Sequence, residues 1–121
     1  MVKPFARFAR KARIKDEGLL GAADDIAAGQ FDADLGGGLY KQRIAREGGG
    51  KSGGYRVVLA FRAKARVVFL VGYAKSDKAD LTPKEQESLR LLAGRLLGFD
   101  DAAVTRLVEA GEWTEIEDGQ G

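Results

Sequence analysis

Residues 40–62 read YKQRIAREGGGKSGGYRVVLAFR. Successive side chains on a strand point to opposite sides, so Lys41 and Arg43 share one face. A glycine-rich turn carrying Lys51 follows, from Glu47 to Gly54. Tyr55 to Arg62 then alternate again. Tyr55, Val57, Leu59 and Phe61 fall on one face, Arg56, Val58, Ala60 and Arg62 on the other. Two alternating runs joined by glycines read as an antiparallel hairpin. Its cations, beside a glycine loop, suit a phosphate-rich ligand.

Outward from the hairpin, the remaining elements fall into place. Leu39 to Ala45 form its first strand. Ala63-Lys64-Ala65 is a short connection without the Asn-Gly signature. Arg66 to Ala74 make a third strand, apolar on both faces from Val67 to Val71, as a central strand requires. Phe31 to Gly38, with glycines at 36, 37 and 38, are expected as a loop. Near the N-terminus, Phe5, Phe8, Ala9, Ala12 and Arg13 keep helical spacing, with Arg7, Arg10 and Lys11 outward. Asp16 is expected to cap a second helix bearing Leu19, Leu20, Ala23, Ile26 and Ala27, with Gly29 just past its end.

Toward the C-terminus, Thr82-Pro83-Lys84-Glu85 is a capping box with proline at the first helical position. The helix after it is expected to bury Leu89, Leu92, Ala93, Leu96 and Leu97. Asp100 starts a shorter helix with Val104, Leu107 and Val108, which Gly111 stops. Trp113 to Ile116 add a short extended piece, and residues 117–121 a frayed tail. The fold class is therefore α+β: two N-terminal helices, a central antiparallel β-sheet and C-terminal helices, in a single domain over residues 1–116.

Composition narrows the chemistry. The chain has no cysteine and no histidine, which excludes disulfides and thiolate metal sites and disfavours zinc. Reactive groups must come from Lys, Arg, Tyr, Ser and carboxylates. The longest apolar run, Val67 to Val71, is too short for a bilayer, and no signal peptide is visible, so a cytoplasmic protein is expected. The net charge of +2 hides an asymmetry: residues 1–78 carry +8 and residues 79–121 carry −6. A basic front and an acidic rear fit a polyanion-binding face. Ala45 to Ser52, AREGGGKS, nearly match a P-loop, failing at Ala45. A P-loop works because a helix follows it; here a strand pattern follows, so nucleotide binding is not expected.

The candidate binding residues are Lys41, Arg43, Arg46, Lys51 and Arg56 on the hairpin, and Tyr73, Lys75 and Lys78 after the third strand. A solvated sheet face is the plain alternative, since edge-strand lysines also guard against aggregation. Tyr73 either stacks a base or packs in the core. Phe5, Phe8 and Trp113 read as core anchors, and Asp80 as part of the loop before the Thr82 cap.

The order and spacing of these pieces resemble a known family. Lys41-Gln42-Arg43-Ile44-Ala45, Gly50-Lys51-Ser52-Gly53-Gly54-Tyr55-Arg56, Phe69-Leu70-Val71-Gly72-Tyr73-Ala74-Lys75-Ser76 and Asp80-Leu81-Thr82 are together similar to the RelE-like (HigB-type) toxins of bacterial type II toxin–antitoxin systems. The lead-in Phe31 to Gly38 fits the same subgroup, and the similarity runs from about Phe5 to Gly111. The resemblance implies a microbial-RNase-like fold and ribosome-dependent mRNA cleavage, without metal or other cofactor. It also implies a cognate antitoxin, commonly of the helix-turn-helix type. Catalytic roles carry over onto Lys41, Arg43, Arg56 and Lys75, and RNA contacts onto Lys51, Tyr73, Lys78 and Arg46.

Two departures from the family pattern stand out. Ser76 sits where founding-type relatives carry arginine, and Thr82 falls near their tyrosine or histidine, leaving Tyr73 as a substitute. The strand that usually precedes the first helix is expected to be shortened or missing. A lysine among like charges gives up its proton more readily, so Lys41 or Lys75 is expected as the base. Arginines suit transition-state charge. The alternatives are a ParE-like toxin that poisons gyrase and a non-catalytic RNA-binding domain.

Overall fold

The computed structural model describes residues 1–44, 54–63, 66–74 and 80–116. The element order is α1 (Lys3–Ala12), α2 (Asp16–Ala27), β1 (Ala33–Gly36), β2 (Leu39–Ile44), β3 (Tyr55–Arg62), β4 (Arg66–Ala74), α3 (Pro83–Leu97) and α4 (Asp101–Glu109). The four strands form one antiparallel sheet in the order β1-β2-β3-β4. This is the α+β layout expected from the pattern. The expected turn from 47 to 54, of which only Gly54 is described, residues 64 and 65 of the short connection, and the tail at 117–121 lie outside the described residues.

Alternation along the strands splits the core in two. One cluster holds Val57, Leu59 and Phe69 with Phe5 and Ala9 of α1 and Leu19 and Ile26 of α2. The other holds Leu39, Val58, Ala60, Val68 and Leu70 with Ala93, Leu96 and Leu97 of α3 and with Trp113. The sheet thus carries α1 and α2 on one face and α3 on the other. Between Val58 and Leu59 the β3–β4 register shifts by one residue, leaving Leu70 without a direct partner. That bulge puts Val71 on the same, α3 side as Leu70, and so brings Tyr73 to that side as well.

Local chemistry explains the helix ends. Thr82 Oγ1 accepts from the Glu85 N–H at 3.1 Å, and Glu85 Oε1 accepts from the Thr82 N–H at 2.8 Å. The Asp100 carboxylate accepts from the Ala103 N–H at 2.8 Å. The C-terminal carbonyls of α3 are met by arginines from the sheet. Arg66 donates to Leu96 at 2.9 Å and Phe99 at 2.6 Å, and Arg62 donates to Leu97 at 3.2 Å. These donors satisfy orphan carbonyls and complement the negative end of the helix.

Four expectations are corrected. Residues 31–38 are not all loop: Ala33–Gly36 is an edge strand, joined to β2 by a turn in which Gly36, Gly37 and Gly38 all have positive φ. A four-residue strand containing Asp and Gly carries no β-propensity signal, and only pairing with β2 makes it one. Asp16 does not cap α2; Lys15 holds that position, and Asp16 lies in the first turn, where its charge suits the helix dipole. Leu92 is exposed, so the buried stripe of α3 is narrower than its apolar pattern. Arg13, placed in the first helix by its spacing, is instead the left-handed C-cap of α1.

At the N-terminus, the strand expected to be shortened or missing is reduced to one bridge. Val2 pairs with Trp113, and its N–H donates to Phe69 O at 3.2 Å. Thr114 in turn exchanges hydrogen bonds with Met1, so the extended piece expected at 113–116 is used to hold the N-terminus. Helix α1 then lies across β4, with the ring of Phe8 directly over Gly72.

A Cβ at residue 72 would clash with Cε2 and Cδ2 of Phe8, so Gly72 is required for this packing. Gly72→Ala is expected to destabilise the fold by about 1–3 kcal/mol, the usual cost of overpacking. The double variant with Phe8→Ala should lose less than the sum of the two single changes. Urea denaturation of all four proteins checks both outcomes.

Candidate functional site

The strand register assembles the cationic face. Arg43 lies opposite Arg56, and Arg56 lies opposite Tyr73. Arg43, Arg56 and Tyr73 therefore form one row across three strands. Lys41 lies opposite Val58, two residues further along the same face. This face is shared with α3, and the row sits at the end of the sheet where Ile44, Tyr55 and Ala74 align. Residues 45–53 and 75–79 join the chain at that end. Arg46, Lys51, Lys75 and Lys78 belong to them and lie outside the described residues.

Two arginines directly opposite each other repel. The compensation comes from Asp32, just before β1. Its Oδ2 lies 3.4 Å from Arg56 Nε and 3.9 Å from Lys41 Nζ. Lys41 also donates to Asp80 Oδ1 at 3.2 Å. The close ionic neighbours of Lys41 among the described residues are thus carboxylates, where the charge pattern suggested other cations. Both cationic side chains are largely buried, with 13% of Arg56 and 15% of Lys41 exposed.

Two polar atoms in this row have no hydrogen-bond partner among the described residues. They are one terminal nitrogen of Arg56, Nη1, and the hydroxyl of Tyr73. A buried donor left unpaired is costly, on the order of 1–3 kcal/mol, and these two belong to residues that face each other across β3 and β4. The Tyr73 ring packs among Leu70, Val68 and Leu81 and is only 8% exposed. It offers a hydroxyl to the site and not a ring face for stacking. Burial raises its pKa, and the nearby Asp80 carboxylate adds to that, so Tyr73 stays protonated at neutral pH.

Asp80 shows the opposite shift. Its carboxylate accepts from the Leu81 N–H at 2.8 Å, and this bond, followed by the Lys41 contact, lowers its pKa below the ordinary 3.8. Among the described residues, no group of three or more Asp and Glu side chains is placed to hold a metal ion. No described helix is long and apolar enough to cross a membrane.

Sequence patterning found Lys41, Arg43, Arg56 and Tyr73, and the sheet brings all four together. It missed Asp32 as their partner, and Asp80 as more than a loop residue. It also passed over Gln42, whose position is on the same side of β2 as Tyr40 and Ile44. A polar residue in an inward strand position was the one signal available.

The depressed Asp80 pKa fixes the sign of a pH effect. The unfolded carboxylate takes up protons first as pH falls, so the Asp80 contacts stabilise the native state above pH 3.8. That contribution is lost as pH drops through the lower folded-state value. The gap in stability between the wild type and Asp80→Asn is expected to be constant near neutrality and to close below pH 3.8. Acid titration followed by circular dichroism measures it. Asp80 is exposed, so the gap will be small.

No curated protein matches this chain. A family model does match, over residues 1–116: the RelE toxin of the RelE/RelB toxin–antitoxin system. That span includes both core clusters and the whole cationic row. The chain belongs to the RelE toxin family, and is the toxin of a toxin–antitoxin pair whose antitoxin is its partner.

Proposed function

We propose that this toxin cleaves mRNA on the ribosome, as an endoribonuclease of the HigB type acting in the cytoplasm. The observation that carries the reading is the row Arg43–Arg56–Tyr73 with Lys41 beside it. It holds a guanidinium tethered by Nε, with Nη1 and the phenol of the paired Tyr73 both without a partner among the described residues. The two donors sit on residues paired across β3 and β4, and a phosphate oxygen admitted between them would accept from both.

In this chemistry the ribose 2′-oxygen attacks the adjacent phosphorus. The bond from phosphorus to the 5′-oxygen of the next nucleotide breaks, leaving a 2′,3′-cyclic phosphate and a 5′-hydroxyl. The 2′-OH proton passes to a base, and a proton must reach the departing 5′-oxygen. Negative charge accumulates on the phosphorane oxygens, which is where fixed cations help most. Arg56 and Arg43 serve that charge, and the protonated Tyr73 hydroxyl donates to it. Lys75 supplies the proton acceptor, and Lys41, paired with Asp32 and Asp80, a further cation. Arg46, Lys51 and Lys78 extend the contact along the RNA backbone, where binding is governed by charge. A helix-turn-helix antitoxin would silence the toxin.

Arg56→Ala is expected to lose about 100-fold or more of the cleavage rate, in line with removal of a transition-state donor. Arg56→Lys should recover little, because an ammonium lacks the planar fork. Mapping mRNA 5′ ends after induction, with and without translation, reads this directly. Cuts that persist without ribosomes would reject ribosome dependence. Intact mRNA with an induced DNA-damage response would point to gyrase poisoning, and intact mRNA without toxicity to a non-catalytic RNA-binding domain.

A further inference from the structure

The cationic row raises a question of order. Arg56 faces another arginine across the hairpin, yet its guanidinium is held in one orientation. The group that holds it is Asp32, at 3.4 Å from Nε, and the same carboxylate oxygen lies 3.9 Å from Lys41. Contact through Nε leaves Nη1 without a partner among the described residues.

Asp32 is itself fixed by an unusual arrangement. Gln42 is the one buried polar side chain among the described residues, at 6% exposure. Its Oε1 accepts from the Asp32 N–H at 3.0 Å and the Arg43 N–H at 3.2 Å. Its amide nitrogen donates to the Gln30 carbonyl at 2.9 Å. One side chain thus ties the turn at 30–32 to β2. On the adjacent strand β3 the fully buried residues Val57, Val58, Leu59 and Ala60 are all apolar, so a glutamine here is used for its hydrogen bonds, not for packing.

We infer that Asp32 is a positioning residue of the cationic face: it orients Arg56 through Nε and draws Lys41 to the same carboxylate, and Gln42 holds it in register. The functional half of this inference rests on the RNA-cleaving reading. The orientation of Arg56 does not, and can be read in the free protein.

The test uses the full chain labelled with ¹⁵N arginine, with the Arg56 Nε–H signal assigned by its absence in Arg56→Lys. In the wild type that signal is expected away from free arginine and slow to exchange with water. In Asp32→Asn it should move toward free arginine and exchange faster. Gln42→Met, which keeps bulk and removes the hydrogen bonds, should move it the same way. Asp32→Glu should restore it in part.

On programmed ribosomes, Asp32→Asn should lower kcat by about 10- to 100-fold, the scale of a misplaced catalytic group, with KM little changed. Melting curves establish that each variant is folded; if Asp32→Asn is not, the Gln42→Met and Asp32→Glu signals decide. An Arg56 signal unmoved by these substitutions overturns the inference, whatever happens to RNA. So does a joint rise of binding and cleavage in Asp32→Asn, which would make Asp32 only a repelling charge. A wild type that cuts no RNA rejects the proposed activity instead, and the arginine signal still decides the positioning.

Discussion

The pairing register of β2, β3 and β4 is the constraint on which everything else depends. Because side chains alternate, a slip of one residue between β2 and β3 would exchange the two faces. Arg56 and Val58 would turn toward α1 and α2, and Val57 and Leu59 toward α3. Both core clusters would then hold charges, and the cationic row would disperse. The register is held by burial on both sides at once. Val57 and Leu59 are enclosed by Phe5, Leu19 and Phe69, while Val58 and Ala60 are enclosed by Leu39, Val68 and the leucines of α3. A sheet buried on both faces has no cheap alternative register.

The same register sorts the arginines into two jobs. At one end of β3 and β4, Arg62 and Arg66 face the C-terminus of α3 and satisfy its last carbonyls. At the other end, Arg56 and Arg43 meet across the hairpin with a single carboxylate, Asp32, between Arg56 and Lys41. The first pair is spent on the fold. The second leaves an Arg56 nitrogen and the Tyr73 phenol without a partner among the described residues. Positive charge alone does not tell these pairs apart, since all four arginines lie on strands of similar pattern. What separates them is which end of the sheet α3 terminates against.

Much of this was legible beforehand. Period-two alternation located β2 and β3, and a run apolar on both faces located β4, almost to the residue, because a buried strand leaves a strong local pattern. The capping box at Thr82 and the Asp100 cap were readable because caps are local hydrogen bonds between near neighbours. β1 was not, since Asp34-Leu35-Gly36 has no strand preference of its own and is recruited by an exposed edge. Asp32 was not readable as the partner of Arg56 either, as the two lie on separate elements and nothing near Asp32 indicates an ion pair with β3.

The amino-acid sequence by itself determined the secondary elements other than β1, the alternation within β3 and the family, since these follow from periodicity, caps and ordered motifs along the chain. It also determined that Lys41 and Arg43 would share a face of the hairpin, with Arg56 opening its second strand. Only the tertiary structure decided that Tyr73 joins their row with its ring in the core, that Asp32 tethers Arg56, and that Gln42 fixes Asp32. Those outcomes depend on pairing between strands and on charges brought close by folding, and such contacts leave no mark on the spacing of residues along the chain.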